Sequence, residues 1–116
     1  MADPSSVVFV FNSYGMGHTE NADLKLVLAK KALTILATME PPPRRICFYA
    51  DGVKLCVRGS PVLGELHALM RLGVELLLCS TCIEALGLKD HVAVGTVGGM
   101  DQMITTMVSG SHVVTL

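Results

Sequence analysis

A buried strand that runs directly into a short helix is predicted by the stretch Leu76-Leu77-Leu78-Cys79-Ser80-Thr81-Cys82-Ile83-Glu84-Ala85-Leu86-Gly87. The preceding residues extend this strand, because the run 74–78 is apolar apart from Glu75, and Gly73 bounds it. Short apolar runs of this kind are typical of strands that are covered on both faces in parallel sheets. The stretch therefore favours an α/β fold with helices on the faces of a sheet.

The helix after this strand has recognisable end signals. Thr81 and Glu84 have the spacing of a capping box, which predicts Thr81 as the N-cap and Cys82 as the first helical residue. Gly87 suits the C-terminal cap. Cys79 then lies at the carboxyl end of the strand, and Cys82 lies where unpaired N–H groups and the helix dipole favour negative charge. We expect a thiol at this junction to ionise more easily than a free cysteine.

The composition predicts one domain over residues 1–116 that associates with copies of itself. Hydrophobic residues make up 51% of the chain and charged residues 16%, and the mean hydropathy is +0.55. One domain of this size can bury a core without disulfides. A chain this apolar has more hydrophobic surface than the core of one small domain can bury. We therefore expect a homo-oligomer.

Charge and leader signals argue against nucleic-acid binding, membrane insertion and export. Nine basic and ten acidic residues give no basic stripe that could follow a phosphate backbone. No apolar run approaches the roughly 20 residues that span a bilayer, and Asp3, Pro4 and Ser5 interrupt any signal peptide. We therefore expect a cytoplasmic protein whose four cysteines are reduced thiols.

Strands and helices alternate along the whole chain. Strands are predicted at 6–13, 46–50, 74–78, 91–94 and 112–116, with a helix between each pair of neighbours. Asn21 is the expected N-cap of the first helix, and Ser60 followed by Pro61 is the expected start of the second. This order predicts a three-layer α/β/α fold of Rossmann-like type with a mostly parallel five-stranded sheet.

Helical periodicity predicts which side chains of each helix face the core. For the first helix these are Leu24, Val27, Leu28, Ala32, Ile35 and Leu36. For the second they are Val62, Leu63, Leu66, Leu69 and Met70. For the last they are Met100, Met103, Ile104, Met107 and Val108, and methionine at this spacing is usually adaptable core.

In a parallel sheet the loops after 13, 50, 78 and 94 all emerge at the carboxyl edge, where ligands bind in such folds. That edge holds both cysteines of the Cys79-x-x-Cys82 pair, and His18 comes from the first of these loops. His18 could act there as thiolate partner or proton shuttle. Two glycine pairs belong to the same edge and are candidate contacts for a small anion: Gly15, Gly17, Gly98 and Gly99.

The cysteine pair allows several interpretations besides group transfer. Two small buried core residues are the simplest one. Zinc binding is disfavoured, because Cys47 and Cys56 do not form a second C-x-x-C pair, and we expect no metal and no cofactor. The C-x-x-C spacing also suits a thiol–disulfide redox pair, although it lacks the proline common between such cysteines.

Several motifs resemble one known family, the DsrE-like superfamily, and most of all the DsrE-like domain of YedF-type sulfurtransferase-like proteins. They run over nearly the whole chain and comprise Gly52-Val53-Lys54-Leu55, Arg58-Gly59-Ser60, Leu72-Gly73-Val74-Glu75, Cys79-Ser80-Thr81-Cys82, Gly87-Leu88-Lys89 and Ala93-Val94-Gly95. The sequence departs from the YedF-like pattern at Ser80, where glycine is usual. The TusA-like domain that normally precedes this one does not stand before it in this sequence, so we expect a carrier of that type to be a separate protein or absent.

The resemblance implies a compact DsrEFH-like α/β domain, often assembled into trimers or hexamers, that carries sulfur as a cysteine persulfide between donor and acceptor proteins. Cys79 matches the cysteine that opens the helix in DsrE and TusD relatives, and Cys82 matches the second cysteine of the YedF-like pattern. The leading hypothesis is therefore a sulfur relay in which Cys79 accepts sulfane sulfur and Cys82 resolves or shields it.

The implied partners are sulfur donor and acceptor proteins, including a TusA-like carrier. For contacts between copies of the chain, the candidate surfaces are the 100–107 face of the last helix and the second helix near His67 and Met70. Two alternatives remain: a redox or sensor protein that uses the Cys79–Cys82 pair, and a non-catalytic oligomeric module that binds a small anion or nucleotide at the glycine loops.

Overall fold

The computed structural model describes residues 6–116, in which helices and strands alternate. Asp3, Pro4 and Ser5, which argue above against an export signal, lie outside the described residues. The strands are β1 (Val7–Phe11), β2 (Arg45–Phe48), β3 (Glu75–Cys79), β4 (Thr96–Gly98) and β5 (His112–Thr115). The α-helices are α1 (Ala22–Leu36), α2 (Leu63–Arg71), α3 (Ser80–Ala85) and α4 (Met100–Ser109). Within 6–116, none of the helices combines the length and the apolar character that a bilayer crossing requires.

All five strands form one sheet in the order β4-β3-β2-β1-β5, and every pairing is parallel. The chain moves stepwise from β1 to β4 and then returns across the sheet to β5. Because parallel crossovers are right-handed, α1, α2 and α3 cover one face of the sheet and α4 covers the other. The predicted three-layer α/β/α class is confirmed.

Aromatic and aliphatic side chains fill the space between the sheet and its helices. The rings of Phe11 and Phe48 stack with centroids 5.7 Å apart and an interplanar angle of 10°. These two residues are the last of β1 and β2 and pair with each other in register. Leu33 of α1 and Leu66 of α2 are completely buried in the same core. The carboxyl ends of β1 and β2 are therefore fixed in place by packing as well as by hydrogen bonds.

The predicted fourth strand at 91–94 is wrong. A 3-10 helix occupies Lys89–His91, and β4 begins only at Thr96. The backbone groups in between pair elsewhere: Val92 forms an antiparallel bridge with Val57, and the Val94 N–H donates to the Cys56 carbonyl. Val92 and Val94 have the alternation that is typical of a strand, but their backbone pairs with the connection after β2 and not with the sheet.

The buried face of α1 is also different from the predicted one. Leu24, Val27, Leu28 and Ile35, which were expected in the core, are exposed. The completely or nearly completely buried residues are Ala29, Leu33 and Leu36. The helix is apolar on both sides, so periodicity had no clear face to select, and an apolar surface remains uncovered on α1. Asn21 is the N-cap, as predicted, and accepts a hydrogen bond from the Leu24 N–H.

The other two long helices correct the sequence prediction in smaller ways. Helix α2 begins at Leu63, with Val62 and not Ser60 as its N-cap, although the Ser60 hydroxyl still accepts a hydrogen bond from the Val62 N–H. In α2, Met70 is exposed. In α4, Met103 is buried as predicted, but the side chains at every fourth position from the start of the helix face outward: Met100, Ile104 and Val108.

Candidate functional site

Strand register brings the cysteine junction beside the exit of β2. Cys79 is the last residue of β3 and pairs with Gly98 of β4, while Leu78 pairs with Phe48 at the end of β2. The chain that leaves β2 through Tyr49 and Ala50 therefore runs alongside the start of α3. The carboxyl edge of the sheet thus collects the cysteine pair and this connection, as the sequence predicted.

Helix α3 begins two residues earlier than the capping box predicted. Cys79 is itself the N-cap, Ser80 is the first helical residue, and Thr81 lies within the helix, so the predicted Thr81 cap is wrong. Cys79 has an extended backbone, with φ −67° and ψ 121°, and the strand passes into the helix without an intervening turn. Cys82 is consequently the third helical residue. It follows Cys79 by almost one turn, which places both side chains at the same corner.

The carboxyl end of α3 agrees with the prediction. Gly87 has a φ of +67°, a region that glycine enters without strain. Its N–H donates to the Glu84 carbonyl, and the Leu88 N–H donates to the Ile83 carbonyl. These two bonds define a Schellman motif, which satisfies carbonyl groups at the end of the helix.

The two thiols of the pair differ in exposure. Cys79 is completely buried, whereas Cys82 is half-buried. The Ala50 N–H donates a hydrogen bond to the Cys82 sulfur across a distance of 3.1 Å. Of the pair, only the Cys82 sulfur therefore has both a solvent-facing surface and a backbone donor.

Burial raises the pKa of the Cys82 thiol, and interaction with the adjacent Cys79 thiol raises it further. The Ala50 N–H acts in the opposite direction, because a donor to sulfur favours the thiolate. The net direction is upward, so the expectation that this junction promotes ionisation is wrong for Cys82.

Ala50 is a residue of the candidate site that the sequence did not indicate. Its φ is +50°, a left-handed conformation that non-glycine residues seldom adopt. It opens a 3-10 helix over Ala50–Cys56, and the Gly52 N–H closes the turn on the Tyr49 carbonyl at 3.0 Å. An Asp-Gly pair, which is typical of turns, follows at Asp51-Gly52, but no rule indicates an alanine at positive φ.

Gly52 shows why this turn is held so firmly. Any Cβ at this position would overlap the carbonyl oxygen of Phe11 at the end of β1. That same oxygen accepts the Tyr49 N–H at 3.2 Å. The backbone after β2 is therefore packed directly against the end of β1, and the direction of the Ala50 N–H follows from that contact.

The candidate residues of the β1–α1 loop have surroundings other than the two thiols. His18 is exposed and makes no hydrogen bond to Cys79 or Cys82 in the described part of the chain. Gly15 has φ +135° and lies against the backbone of Lys25, where a Cβ would crowd that residue. Gly17 has φ +84° and lies in open space.

The second glycine pair has packing partners within the chain. Gly98 is buried at the end of β4, and its Cα faces the side chains of Leu77 and Gln102. Gly99 is the N-cap of α4, and the Asp101 carboxylate lies close to it in the first helical turn. A carboxylate is therefore already present where an anion would approach the start of α4.

The remaining cysteines lie in the core. Burial raises the pKa of Cys47 to about 11, against a smaller lowering by the Arg45 guanidinium. Burial also raises the pKa of Cys56 well above its usual range. A raised pKa and complete burial both disfavour a reactive thiolate, so neither thiol is a candidate nucleophile. Among residues 6–116, no three His, Cys, Asp or Glu side chains are grouped so that they could hold a metal ion.

A groove of about 590 Å³ lies away from the cysteines, between α4 and the amino ends of β2 and β3. Arg45 and Glu75 line it and form an ion pair, with Nε and Oε2 2.9 Å apart. Arg45 also donates to the Ser109 hydroxyl at 3.4 Å. Arg45 and Glu75 thus neutralise each other, and Asp101 adds a further carboxylate to the lining. Neither Cys79 nor Cys82 contributes to it.

Three solved structures share this fold over almost their whole length. The YchN protein of E. coli superimposes with a TM-score of 0.73 at 21% identity, covering 95% of this chain and 97% of the other. MTH1491 of Methanobacterium thermoautotrophicum gives 0.67 at 22% identity, with 95% and 97% covered. BT1422 of Bacteroides thetaiotaomicron gives 0.67 at 16% identity, with 96% and 95% covered. MTH1491 and BT1422 are both described as proteins of unknown function.

Sequence comparison identifies the family. No curated protein matches the chain. The profile of the DsrE/DsrF-like family, however, matches residues 6–116, which include every described strand and helix. On this match the chain belongs to the DsrE/DsrF-like family.

Proposed function

We propose that this protein is an intracellular sulfur-relay protein, which carries sulfane sulfur as a cysteine persulfide and passes it to a partner protein. The observation that supports this most directly is the Cys79–Cys82 pair at the carboxyl edge, with the Ala50 N–H on the Cys82 sulfur at 3.1 Å. Membership of the DsrE/DsrF-like family agrees with chemistry of this type. A thiol carrier works in a reducing compartment, in keeping with the cytoplasmic location expected from the sequence.

The transfer requires a thiolate but no redox cofactor. A thiolate of the pair attacks the outer sulfur of a donor persulfide, R–S–SH, and forms a new S–S bond. The donor S–S bond breaks, and R–S⁻ leaves with the electron pair of that bond and takes up a proton. In delivery, the acceptor thiolate attacks the carried sulfur, and the cysteine of this chain leaves as its thiolate. The sulfane sulfur keeps its oxidation level throughout.

Persulfide uptake by the intact chain is the first prediction. After incubation with a small-molecule persulfide and removal of the donor, intact-mass measurement should show the mass of one added sulfur atom. The double variant Cys79→Ser, Cys82→Ser should show none, while the buried Cys47 and Cys56 remain as internal controls. Dithiothreitol should release the added sulfur. Absence of uptake by the wild-type protein, or equal uptake by the double variant, would sink the relay proposal.

A reversible Cys79–Cys82 disulfide is the second candidate function, because the two thiols interact closely enough for one to raise the pKa of the other. A redox titration separates the two functions. A redox protein must form this disulfide reversibly at a cellular potential, whereas a relay need not form it at all.

The partners proposed for the relay are a sulfur donor and an acceptor protein, with a TusA-like carrier as the first to test. Copies of the chain itself are a further proposed partner, in a trimer or hexamer. Exposed apolar side chains support this, since Ile104 of α4 is 51% exposed and Val108 is 78% exposed. Met100 and Met70, which belong to the surfaces expected from the sequence, are exposed as well.

Assembly is the second prediction. Light scattering coupled to size exclusion at micromolar concentration should give a mass several times the 12.3 kDa of one chain. Ile104→Glu should reduce that mass to the monomer, because a carboxylate cannot be buried in an apolar contact without a partner. Thr105→Glu adds the same charge at the next exposed position of α4 and should leave the assembly intact. A monomeric wild-type protein would refute the assembly proposal.

A further inference from the structure

We infer that Cys82, and not Cys79, is the thiol that receives sulfur from the donor, and that the Ala50 N–H is the group that positions its sulfur. This inference rests on the proposed relay and names the entry residue within it. It differs from the assignment implied by the family resemblance, in which Cys79 accepts the sulfur.

The first support is steric. In nucleophilic attack on a donor persulfide, the attacking sulfur approaches the outer sulfur of the donor along the axis of the S–S bond that breaks. A completely enclosed thiol cannot make this approach. Cys79 has 0% exposed surface and belongs to the hydrophobic core. Cys82 is partly exposed and only packs against that core. Of the two thiols, Cys82 is therefore the one that has surface open to a partner protein.

The second support is the fixed direction of the Cys82 sulfur. The Ala50 N–H donates to it, and Ala50 is itself exposed at the surface beside the site. A donor to sulfur stabilises the thiolate that attacks and the thiolate that leaves after delivery. Ala50 has this orientation because its φ is +50° and because Gly52 is packed against the end of β1. The donor is thus part of a rigid turn.

In the resulting step the Cys82 thiolate attacks the outer sulfur of R–S–SH, and R–S⁻ leaves. The bond between Cys82 and the carried sulfur forms as the S–S bond of the donor breaks. The departing thiolate R–S⁻ takes up a proton from solvent. Delivery is the reverse exchange with an acceptor thiolate. Cys79 stays enclosed beside the site and takes no part in either exchange. Its attack on the Cys82 sulfur would expel hydrosulfide and close a disulfide.

Peptide mapping of the wild-type protein tests the order of reactivity without any substitution. Under native conditions, iodoacetamide should modify Cys82 faster than Cys79 by on the order of tenfold or more. In guanidinium chloride the two should react alike. After loading with a small-molecule persulfide, the added sulfur should be found on Cys82 when the peptide that contains both cysteines is fragmented. Sulfur found on Cys79, or faster alkylation of Cys79 in the folded protein, overturns the inference while leaving the relay intact.

Single variants separate this inference from the proposed function. Cys82→Ser should lose sulfur uptake, and Cys79→Ser or Cys79→Ala should retain it. Uptake that survives in Cys82→Ser but disappears in the Cys79 variants contradicts the inference alone. No uptake by the wild-type protein removes the relay and the entry role together, even where alkylation favours Cys82. The mapping above decides the matter if a Cys79 variant does not fold.

The role of Ala50 has its own readout, the pH dependence of Cys82 alkylation. Ala50→Gly keeps the N–H and adopts positive φ freely, so it should keep the wild-type pH midpoint. Ala50→Val disfavours that φ and should move the midpoint to higher pH, because the N–H no longer favours the thiolate. Ala50→Leu replaces it if the valine variant does not fold. A folded variant of this kind with an unchanged midpoint excludes Ala50 as the positioning residue.

Discussion

Gly52→Ala is expected to lower the free energy of unfolding by about 3 kcal/mol or more, because overpacking against rigid backbone leaves no flexible side chain to move aside. The added methyl group would overlap the Phe11 carbonyl oxygen and would lie 3.1 Å from the Asn12 nitrogen. Phe11 cannot shift easily, since its ring is completely buried and stacks on Phe48. The same overlap would displace the turn that contains Ala50, so Cys82 should also lose its hydrogen bond.

Gly64→Ala is the matched control. Gly64 is exposed in α2, and a Cβ there meets no atom within 4 Å. Alanine in place of an exposed helical glycine should raise the free energy of unfolding by about 0.5–1 kcal/mol. Urea unfolding of the two variants, followed by circular dichroism, measures both effects. A Gly52→Ala protein as stable as the wild type would mean that the ends of β1 and β2 can separate without cost.

The fold class and the cysteine junction could be predicted from the sequence because both depend on local pattern. Short apolar runs alternate with helical periodicity, and that order leaves few possible topologies. Strand β3 therefore ended within one residue of the predicted position, and Cys79 and Cys82 lie together at the carboxyl edge. Gly87 ended α3 as predicted, because a glycine directly after a short helix has a specific conformational role.

Other features depend on contacts between distant parts of the chain, and local pattern does not report them. Val92 has the pattern of a strand residue, but its partner is Val57, which lies in the connection after β2. The Ala50 N–H points at Cys82 because Gly52 contacts the end of β1. The difference in exposure between the two cysteines likewise appears only once the core is assembled. The position of the cysteine pair in the fold was therefore predictable, but the difference in exposure between its two thiols was not.

Helix α1 supplies the second large effect, from two aliphatic residues only two positions apart. Leu33 is completely buried between α1 and the sheet, whereas Ile35 is 57% exposed on the opposite side. Leu33→Ala should lower the free energy of unfolding by about 2–5 kcal/mol, through lost burial and the cavity that remains. Ile35→Ala should change it by no more than about 0.5 kcal/mol in the isolated chain. Urea unfolding at low protein concentration compares the two variants directly.

The reverse ranking would contradict the position of this helix and would restore the face predicted from periodicity. The Ile35 variant also separates stability from assembly, because the exposed face of α1 contains further apolar side chains at Leu24, Val27 and Leu28. If copies of the chain cover this face, Ile35→Ala should leave unfolding at low concentration unchanged, while more protein is needed for association. If the copies instead cover only the outward-facing side chains of α4, which are Met100, Ile104 and Val108, Ile35→Ala should leave association unchanged as well. In that case Ile104→Glu alone should abolish association. Measurement of both variants over a range of protein concentrations thus assigns the contact to one side of the sheet or to both.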